Sequence, residues 1–250
     1  MVLETQNYED AIKFLTLMAK QGNVEAQYDL AVQYHSGVSV KRDFNNAVKW
    51  FRKAAEQGHA ASQCKLGYCY YNGEGVLRNF NVAVKLFEKA AEQGHTVAQY
   101  ALGMCYYEGE GVSQDYEQAV NWLGKAAEQG HPAAQHNVAV CYYKGQGVDQ
   151  DYKQAVSWLE KAAEQGDDGS QYLLGMCYYG GQGVSQDNQQ ALYWLEKAAE
   201  QGHAVAQFNL GACYYNGTTI KQDYEQALHW LKKAAEQGHV QAKSLLTKLS

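Results

Sequence analysis

The chain has 250 residues and a formal net charge of -6, and it contains 24 glycines, 20 tyrosines and a single proline. The negative charge argues against a nucleic-acid partner, because binding to phosphates requires a basic surface. No segment approaches the roughly 20 consecutive apolar residues that a transmembrane helix requires, so we expect no membrane insertion. Regularly placed glycines with almost no proline favour many short helices that end at glycine.

The start of the chain does not resemble a secretory signal peptide. It contains Glu4, Glu9 and Asp10 and no apolar segment. This favours a cytoplasmic protein, and a secreted protein is the alternative if the natural chain begins further upstream.

A repeat of 36 residues organises almost the whole chain. The string Lys-Ala-Ala-Glu-Gln-Gly occurs six times at that interval, from Lys53 to Lys233. Self-similarity at such a period is typical of stacked helix pairs. We therefore divide residues 23–238 into six units that begin near residues 23, 59, 95, 131, 167 and 203. A leading helix within residues 1–22, from about Tyr8 to Gln21, precedes them, and a capping helix within residues 239–250 follows.

The first helix of each unit is illustrated by Val97–Glu108. One apolar face carries residues at helical spacing, namely Ala98, Leu102, Cys105 and Tyr106. Gly103 has no side chain, so a neighbouring helix can approach it closely. Gly109 is placed to end the helix, because glycine adopts the left-handed conformation without steric cost.

The second helix is illustrated by Asp115–Gly130. Asp115 is a suitable N-cap, since its carboxylate can accept hydrogen bonds from the free amides of the first turn. The apolar face of this helix comprises Tyr116, Ala119, Trp122, Leu123, Ala126 and Ala127. Gly130 is placed to end it.

Bulky and small residues recur at fixed places in the second helices. One column, which we expect to be buried, contains Phe14, Trp50, Leu86, Trp122, Trp158, Trp194 and Trp230. A small column contains Ala47, Ala83, Ala119, Ala155, Ala191 and Ala227. A single unit cannot bury such a face alone, so the units must stack. The sequence therefore predicts an all-α fold, a right-handed superhelical α-solenoid of 36-residue helix pairs.

The motif resembles the Sel-1-like repeat family, relatives of the tetratricopeptide repeat. The residues that carry the resemblance in one unit are Ala98-Gln99, Leu102-Gly103, Tyr106, Gly109, Gly111-Val112, Asp115, Ala119, Trp122, Lys125-Ala126-Ala127 and Gly130. Ser39 and Thr219 replace the second loop glycine, so we expect those two turns to differ. Asn188 replaces an aromatic residue and should loosen one contact. The resemblance implies a TPR-like protein-interaction scaffold or adaptor.

In the related superhelix the first helix of each unit lines the concave face, so the resemblance implies that a partner binds there. The residues left over from the buried face form a second stripe rich in Tyr, His, Asn and Met, which are typical of interfaces. The predicted partner-binding residues are Tyr28, His35, Lys65, Tyr68, Tyr71, Asn72, Tyr100, Met104, Tyr107, Glu108, His136, Asn137, Tyr143, Lys144, Tyr172, Met176, Tyr179, Phe208, Asn209, Tyr215 and Asn216. The alternative is that the tyrosine column from Tyr71 to Tyr215 packs between neighbouring units.

We predict no catalytic residue, no metal site and no cofactor. Five cysteines, Cys69 to Cys213, recur at the repeat interval, so successive thiols lie about 10 Å or more apart, beyond disulfide reach. We expect them to be small buried apolar residues in a reducing compartment. The histidines at His59 and at equivalent places are expected to be loop or cap residues. Ser62 and Lys65 match an SxxK pattern, but the other motifs of that enzyme class are missing.

These observations predict a non-catalytic, monomeric scaffold that binds a partner protein or peptide. One alternative is a structural or self-assembling spacer, because Leu245, Leu246 and Leu249 could let the last helix stack on another chain. The other is an enzyme with an unrecognised site, for which no group of residues argues.

Overall fold

The protein is described by a computed structural model that covers residues 2–217 and 220–249, with side chains for residues 10–217, 220–247 and 249. These residues form fourteen α-helices and no strand. The helices are α1 Val2–Lys20, α2 Val24–Ser36, α3 Phe44–Glu56, α4 Ala60–Asn72, α5 Phe80–Glu92, α6 Thr96–Glu108, α7 Tyr116–Glu128, α8 Pro132–Lys144, α9 Tyr152–Glu164, α10 Asp168–Gly180, α11 Asn188–Glu200, α12 Ala204–Asn216, α13 Tyr224–Glu236 and α14 Val240–Leu249. The predicted all-helical class is confirmed.

The helices group into two compact units, Met1–Gln129 and Gly130–Ser250. In each unit every helix packs against the next one along the chain. We call the first helix of each repeat an A helix (α2, α4, α6, α8, α10, α12) and the second a B helix (α3, α5, α7, α9, α11, α13).

The helices begin and end at the predicted signals. At the start of α7, the Asp115 carboxylate accepts a hydrogen bond of 3.0 Å from the Gln118 amide. At the end of α6, Gly109 has φ +76° and its amide donates to the Cys105 carbonyl. The leading helix is longer than predicted, since it begins at Val2 and not near Tyr8.

The loop that joins an A helix to its B helix needs a second glycine. Gly111 has φ +75°, and a Cβ there would lie 2.5 Å from the backbone of Phe80 in the preceding repeat. Ser39 stands at this place in the first repeat and does not adopt a positive φ, so its turn differs as expected. Thr219, the other predicted exception, lies outside the described residues.

A and B helices of one repeat touch closely where a glycine meets a leucine. A Cβ on Gly103 would lie 2.7 Å from Cγ of Leu123, so only glycine fits without displacing that side chain. Leu123 and Ala119 are both fully buried. This confirms the predicted close approach at Gly103.

The tryptophan column is less buried than predicted. Trp50 is 7% exposed, but the later members are half-buried and Phe14 is 65% exposed. These side chains lie at the edge of the core. A lysine three residues later covers the Trp122 and Trp158 rings, with Nζ 3.9 Å from each ring centroid. The buried column is the next residue along each B helix: Phe51, Phe87, Leu123, Leu159, Leu195 and Leu231.

Buried glutamines join successive repeats. Nε2 of Gln63 donates to the Ala55 carbonyl at the end of the preceding B helix, over 3.2 Å. Oε1 of Gln63 accepts a 2.7 Å bond from Gln93, which follows the next B helix. The same arrangement holds Gln27, Gln99, Gln171 and Gln207. Because these amides are satisfied, burying them does not carry the cost of a lost hydrogen bond.

Candidate protein-binding surface

All of the residues that the sequence predicts to bind a partner lie on A helices, and we call this set the A-helix surface. None of them is fully buried. The exposed members are Lys65, Asn72, Glu108, Lys144, Tyr179 and Asn216, and the others are half-buried. Their neighbours divide the set into three groups.

The first group, at the start of each A helix, covers the N-cap of the next A helix. The ring of Tyr172 stacks on His203 with centroids 4.8 Å apart, and Phe208 stacks on His239 at 4.6 Å. At the equivalent place, His136 contacts a carboxylate instead, with Nδ1 3.3 Å from Oδ2 of Asp167. These residues therefore contribute to contacts between repeats.

Most of the histidines after the stop glycines act as helix caps through their side chains, as predicted, whereas the His59 side chain makes no cap bond and contacts Ser62 instead. Nδ1 of His95 accepts a 3.2 Å hydrogen bond from the Ala98 amide, and Nδ1 of His203 accepts one of 3.1 Å from the Ala206 amide. Burial lowers the pKa of His95 and of His203, which favours the neutral ring that can accept this bond.

The second group, at the end of each A helix, packs on the first residue of the B helix that follows. Tyr143 makes an edge contact with Tyr152, with ring centroids 5.1 Å apart, and its hydroxyl donates a 2.7 Å bond to Gln182 of the next repeat. The hydroxyl of Tyr71 donates to Glu110 in the same way. That bond, followed by burial, raises the pKa of Tyr71 to about 12. These tyrosines therefore make contacts between neighbouring repeats, as expected if the tyrosine column has a packing role.

Tyr179 is the exception in this group. Its neighbour at the start of the next B helix is Asn188, which has no ring, and Tyr179 is 45% exposed. We expected Asn188 to loosen one contact, and the structure shows that the Tyr179 ring lacks the aromatic neighbour that covers other tyrosines of this group.

The third group lines two hollows of the same construction, one in each compact unit. The hollow in Gly130–Ser250 has a volume of about 220 Å³ and is lined by Met176, Tyr179, Leu195, Asn209, Ala212, Cys213 and Asn216. The hollow in Met1–Gln129 has a volume of about 230 Å³ and is lined by Tyr68, Tyr71, Phe87, Tyr100, Ala101, Met104 and Cys105. Each lies between the A helices of adjacent repeats. The hollows therefore gather residues that the sequence placed on one stripe.

Three side chains capable of nucleophilic chemistry, Cys105, Cys177 and Ser62, are poorly placed for it. All six cysteines are free thiols, and burial raises the pKa of Cys105 to about 12 and of Cys177 to about 11. The nucleophilic form of cysteine is the thiolate, which such values disfavour. Ser62, the serine of the SxxK pattern, is fully buried and contacts Nδ1 of His59 at 2.7 Å, so a substrate cannot reach it.

One group of polar side chains was missed by sequence reasoning. His35, Cys69 and Glu74 converge in the first compact unit, with Nε2 of His35 2.9 Å from Oε2 of Glu74. His35 is far in sequence from Cys69 and Glu74, and the three residues match no local motif. Aligning the repeats could have drawn attention to this group, because His35 stands where later repeats have tyrosine.

The last helix uses its leucines inside its own unit. Leu245, Leu246 and Leu249 are half-buried against a core cluster that contains Leu231 and Ala234. Among the residues described, no helix is both long and apolar enough to span a bilayer.

Comparison with solved structures finds the same architecture. A protective antigen of uropathogenic Escherichia coli with an SLR fold matches with a TM-score of 0.90 and 37% identity, over 96% of this chain and 51% of that one. This chain therefore spans about half of that antigen. A Sel1 repeat protein from Oxalobacter formigenes matches with a TM-score of 0.78 and 34% identity, over 93% of this chain and 95% of that one. An immunity protein of Pseudomonas aeruginosa, 20% identical with a TM-score of 0.51 over 85% of this chain and 80% of that one, shares the fold alone.

Two comparisons used the sequence. The comparison with curated proteins found no match. The Sel1 repeat model matches residues 4–23, 24–59, 60–95, 96–131, 132–167, 169–203 and 204–239. The first match is a partial one and falls on α1, so this helix resembles the second half of a repeat. The chain therefore belongs to the Sel1-repeat family, TPR-like helical repeat proteins that generally serve as protein-interaction scaffolds and are typically non-catalytic.

Proposed function

We propose that this protein is a non-catalytic scaffold that binds an extended segment of a partner protein along the A-helix surface. Within each compact unit the hollow accepts a side chain of a bound segment, and the exposed polar residues around it contact the backbone of that segment. The membership in the Sel1-repeat family supports the general role, and the hollows support the choice of surface.

The observation that carries the proposal is the repetition of one hollow at equivalent places. Sites for drug-sized ligands usually measure about 300–1,000 Å³, so hollows of about 220 and 230 Å³ suit single side chains better than a substrate or cofactor. The same construction in both compact units indicates that the hollow is a feature of the repeat and not of one irregular position.

Tyr179 is the residue of this surface that we expect to contribute most to binding. It is exposed, it borders Met176 and Asn209 in the hollow, and Asn188 leaves its ring uncovered. Tyrosine is enriched among residues that dominate binding energy, since its ring offers a large rigid contact area and its hydroxyl a hydrogen bond.

Selection from a random peptide library displayed on phage tests the proposal, because it does not require the partner to be identified first. Peptides enriched on the full chain are then measured against Tyr179→Ala. The matched control is Tyr193→Ala on B helix α11, because Tyr193 is 47% exposed and Tyr179 is 45% exposed. We expect Tyr179→Ala to weaken binding roughly tenfold or more and Tyr193→Ala to leave it unchanged.

Two results would overturn the proposal. One is that no peptide is enriched over a control resin. The other is that Tyr193→Ala weakens binding as much as Tyr179→Ala, which would place the ligand on another face or show non-specific adsorption. Thermal unfolding of both variants shows whether either change acts through stability.

A further inference from the structure

The first two repeats meet at a cluster of three side chains with different ligand atoms. His35 comes from α2, Cys69 from α4, and Glu74 from the loop after α4. Nε2 of His35 lies 2.9 Å from Oε2 of Glu74, and one ligand atom from each of the three residues lies within 4.8 Å of the others. Bonds of about 2.0–2.3 Å place the ligands of a tetrahedral metal ion roughly 3.3–3.8 Å apart. This range lies between the 2.9 Å separation of His35 from Glu74 and the 4.8 Å limit of the cluster.

The cluster is a local departure from the repeat. At the next equivalent place, Tyr71 donates to Glu110 above Cys105, and further along Tyr143 donates to Gln182 above Cys177. Those junctions need only a hydroxyl to make the hydrogen bond between repeats. Histidine at the first junction makes the same bridge to Glu74 and in addition supplies an imidazole nitrogen, which tyrosine does not.

We propose that His35, Cys69 and Glu74 bind one zinc ion, with water as the fourth ligand. Nitrogen, sulfur and carboxylate oxygen are the donor atoms that Zn²⁺ takes in proteins, usually four in tetrahedral geometry. The thiolate makes the site softer than those of magnesium or calcium, which take oxygen ligands. With the thiolate and the carboxylate both ionised, the bound ion is neutralised.

The surroundings hold the ligands and leave an entry path. The His35 ring is fixed by edge contacts with Phe44 and Phe51, at centroid distances of 5.2 and 6.2 Å. The side chains of His35 and Glu74 are 35% and 32% exposed, whereas Cys69 is 1% exposed beneath them. An ion can therefore reach the first two ligands from solvent and then bond the thiol below.

Binding replaces a proton on sulfur with the metal. Burial, and secondarily the charge of Glu74, raise the pKa of the Cys69 thiol to about 12, so the free thiol is protonated at neutral pH. The Zn–S bond forms as the S–H bond breaks, and the proton passes to solvent. Nε2 of His35 bonds the ion in place of its hydrogen bond to Glu74, and the neutral ring then carries its proton on Nδ1. Because the ligands come from two repeats, the ion joins α2 to α4 and stabilises this junction.

Cobalt titration of the full chain tests the proposal. Co²⁺ substitutes for zinc, and a thiolate ligand gives a charge-transfer absorption band in the near ultraviolet. We expect one equivalent of Co²⁺ to produce this band and Zn²⁺ to abolish it. His35→Tyr and Cys69→Ala should each remove it and lower the affinity at least tenfold. Zinc should also raise the midpoint of thermal unfolding of the natural chain and not of His35→Tyr.

The chain supplies its own controls. Tyrosine already occupies the equivalent place at Tyr71 and Tyr143, so His35→Tyr is expected to fold, which circular dichroism checks. Cys105→Ala removes the equivalent thiol of the next junction and should leave the band intact. A band absent from the natural chain, retained in His35→Tyr, or lost in Cys105→Ala would each overturn the zinc site. None of these outcomes bears on peptide binding at Tyr179.

Discussion

The side-chain amide of Gln129 donates a hydrogen bond of 2.7 Å to Oε1 of the buried Gln99, which itself donates to the Ala91 carbonyl over 3.2 Å. One glutamine thereby connects the ends of two B helices, α5 and α7, through the A helix between them. The apolar columns bring the helices together. The side-chain amide of Gln99 adds directional bonds, which favour one position of each helix along its neighbour.

Replacing Gln99 by Ala should destabilise the protein by about 1–3 kcal/mol, because both the Ala91 carbonyl and the Gln129 amide lose a partner. Urea unfolding measures the change. Gln118→Ala, at an exposed position on α7, is the control and should stay within about 0.5 kcal/mol of the natural chain. Equal effects of the two substitutions would show that the bonded glutamines do not stabilise the junctions.

The tryptophans should differ from one another in what they contribute. Trp50→Ala should cost about 3–5 kcal/mol, since Trp50 is buried in the first core cluster. Trp122→Ala should cost less, because that ring is only half-buried in the folded protein. Paired urea denaturation of the two variants checks the order. A larger loss of stability for Trp122→Ala than for Trp50→Ala would contradict the argument from burial.

Much of the fold could be predicted because its signals are local. Asp115 and Gly109 mark helix ends through bonds within one turn, and the 36-residue interval follows directly from the printed chain. The burial of Leu123 in preference to Trp122 could not be predicted in this way. Both lie on the apolar side of one helix, and Leu123 is the one that packs against Gly103 of the preceding A helix.

The candidate surface was predictable as a face and not as a set of contacts. Helical periodicity places Tyr143, Met176 and Tyr179 on A helices, away from the main apolar face. It does not show that Tyr143 bonds to Gln182 of the next repeat while Tyr179 stays exposed. Those differences depend on neighbouring repeats, as does the meeting of His35 with Glu74.

Asn188→Tyr should restore the ring contact that the other repeats have. Tyr143 and Tyr152 show its geometry, with centroids 5.1 Å apart. An added aromatic pair stabilises by about 0.5–1.5 kcal/mol, so the midpoint of urea unfolding should rise. Asn188→Ala, which adds no ring, is the control. The substitution should also cover Tyr179 and weaken binding of the selected peptides; unchanged stability would show that the missing ring is not what exposes Tyr179.

Stability should fall as the pH decreases below about 6.5. The pKa values of His95 and His203 are lowered from 6.5 in the folded protein, chiefly by burial. The unfolded chain therefore takes up protons first, and stability that is complete above about pH 6.5 is lost as the pH falls towards the lowered values. Urea unfolding at pH 7.5 and 5.5 measures this change.

His95→Asp is a suitable control for the histidine contribution. Asp167 occupies the equivalent place in another repeat and caps its helix through a 2.7 Å bond from the Ser170 amide. The variant should retain a cap and lose less stability between the two pH values than the natural chain. A greater loss in the variant would show that His95 is not among the groups responsible.

The glutamine-linked junction also has an evolutionary consequence. Because Gln63 and Gln99 each bond to the end of the preceding repeat and to the end of their own repeat, duplication of one 36-residue segment creates a junction whose partners already exist. Deletion of a segment likewise leaves complementary ends. Copy number can therefore vary between genes by unequal recombination, without requiring any new interface between repeats to evolve.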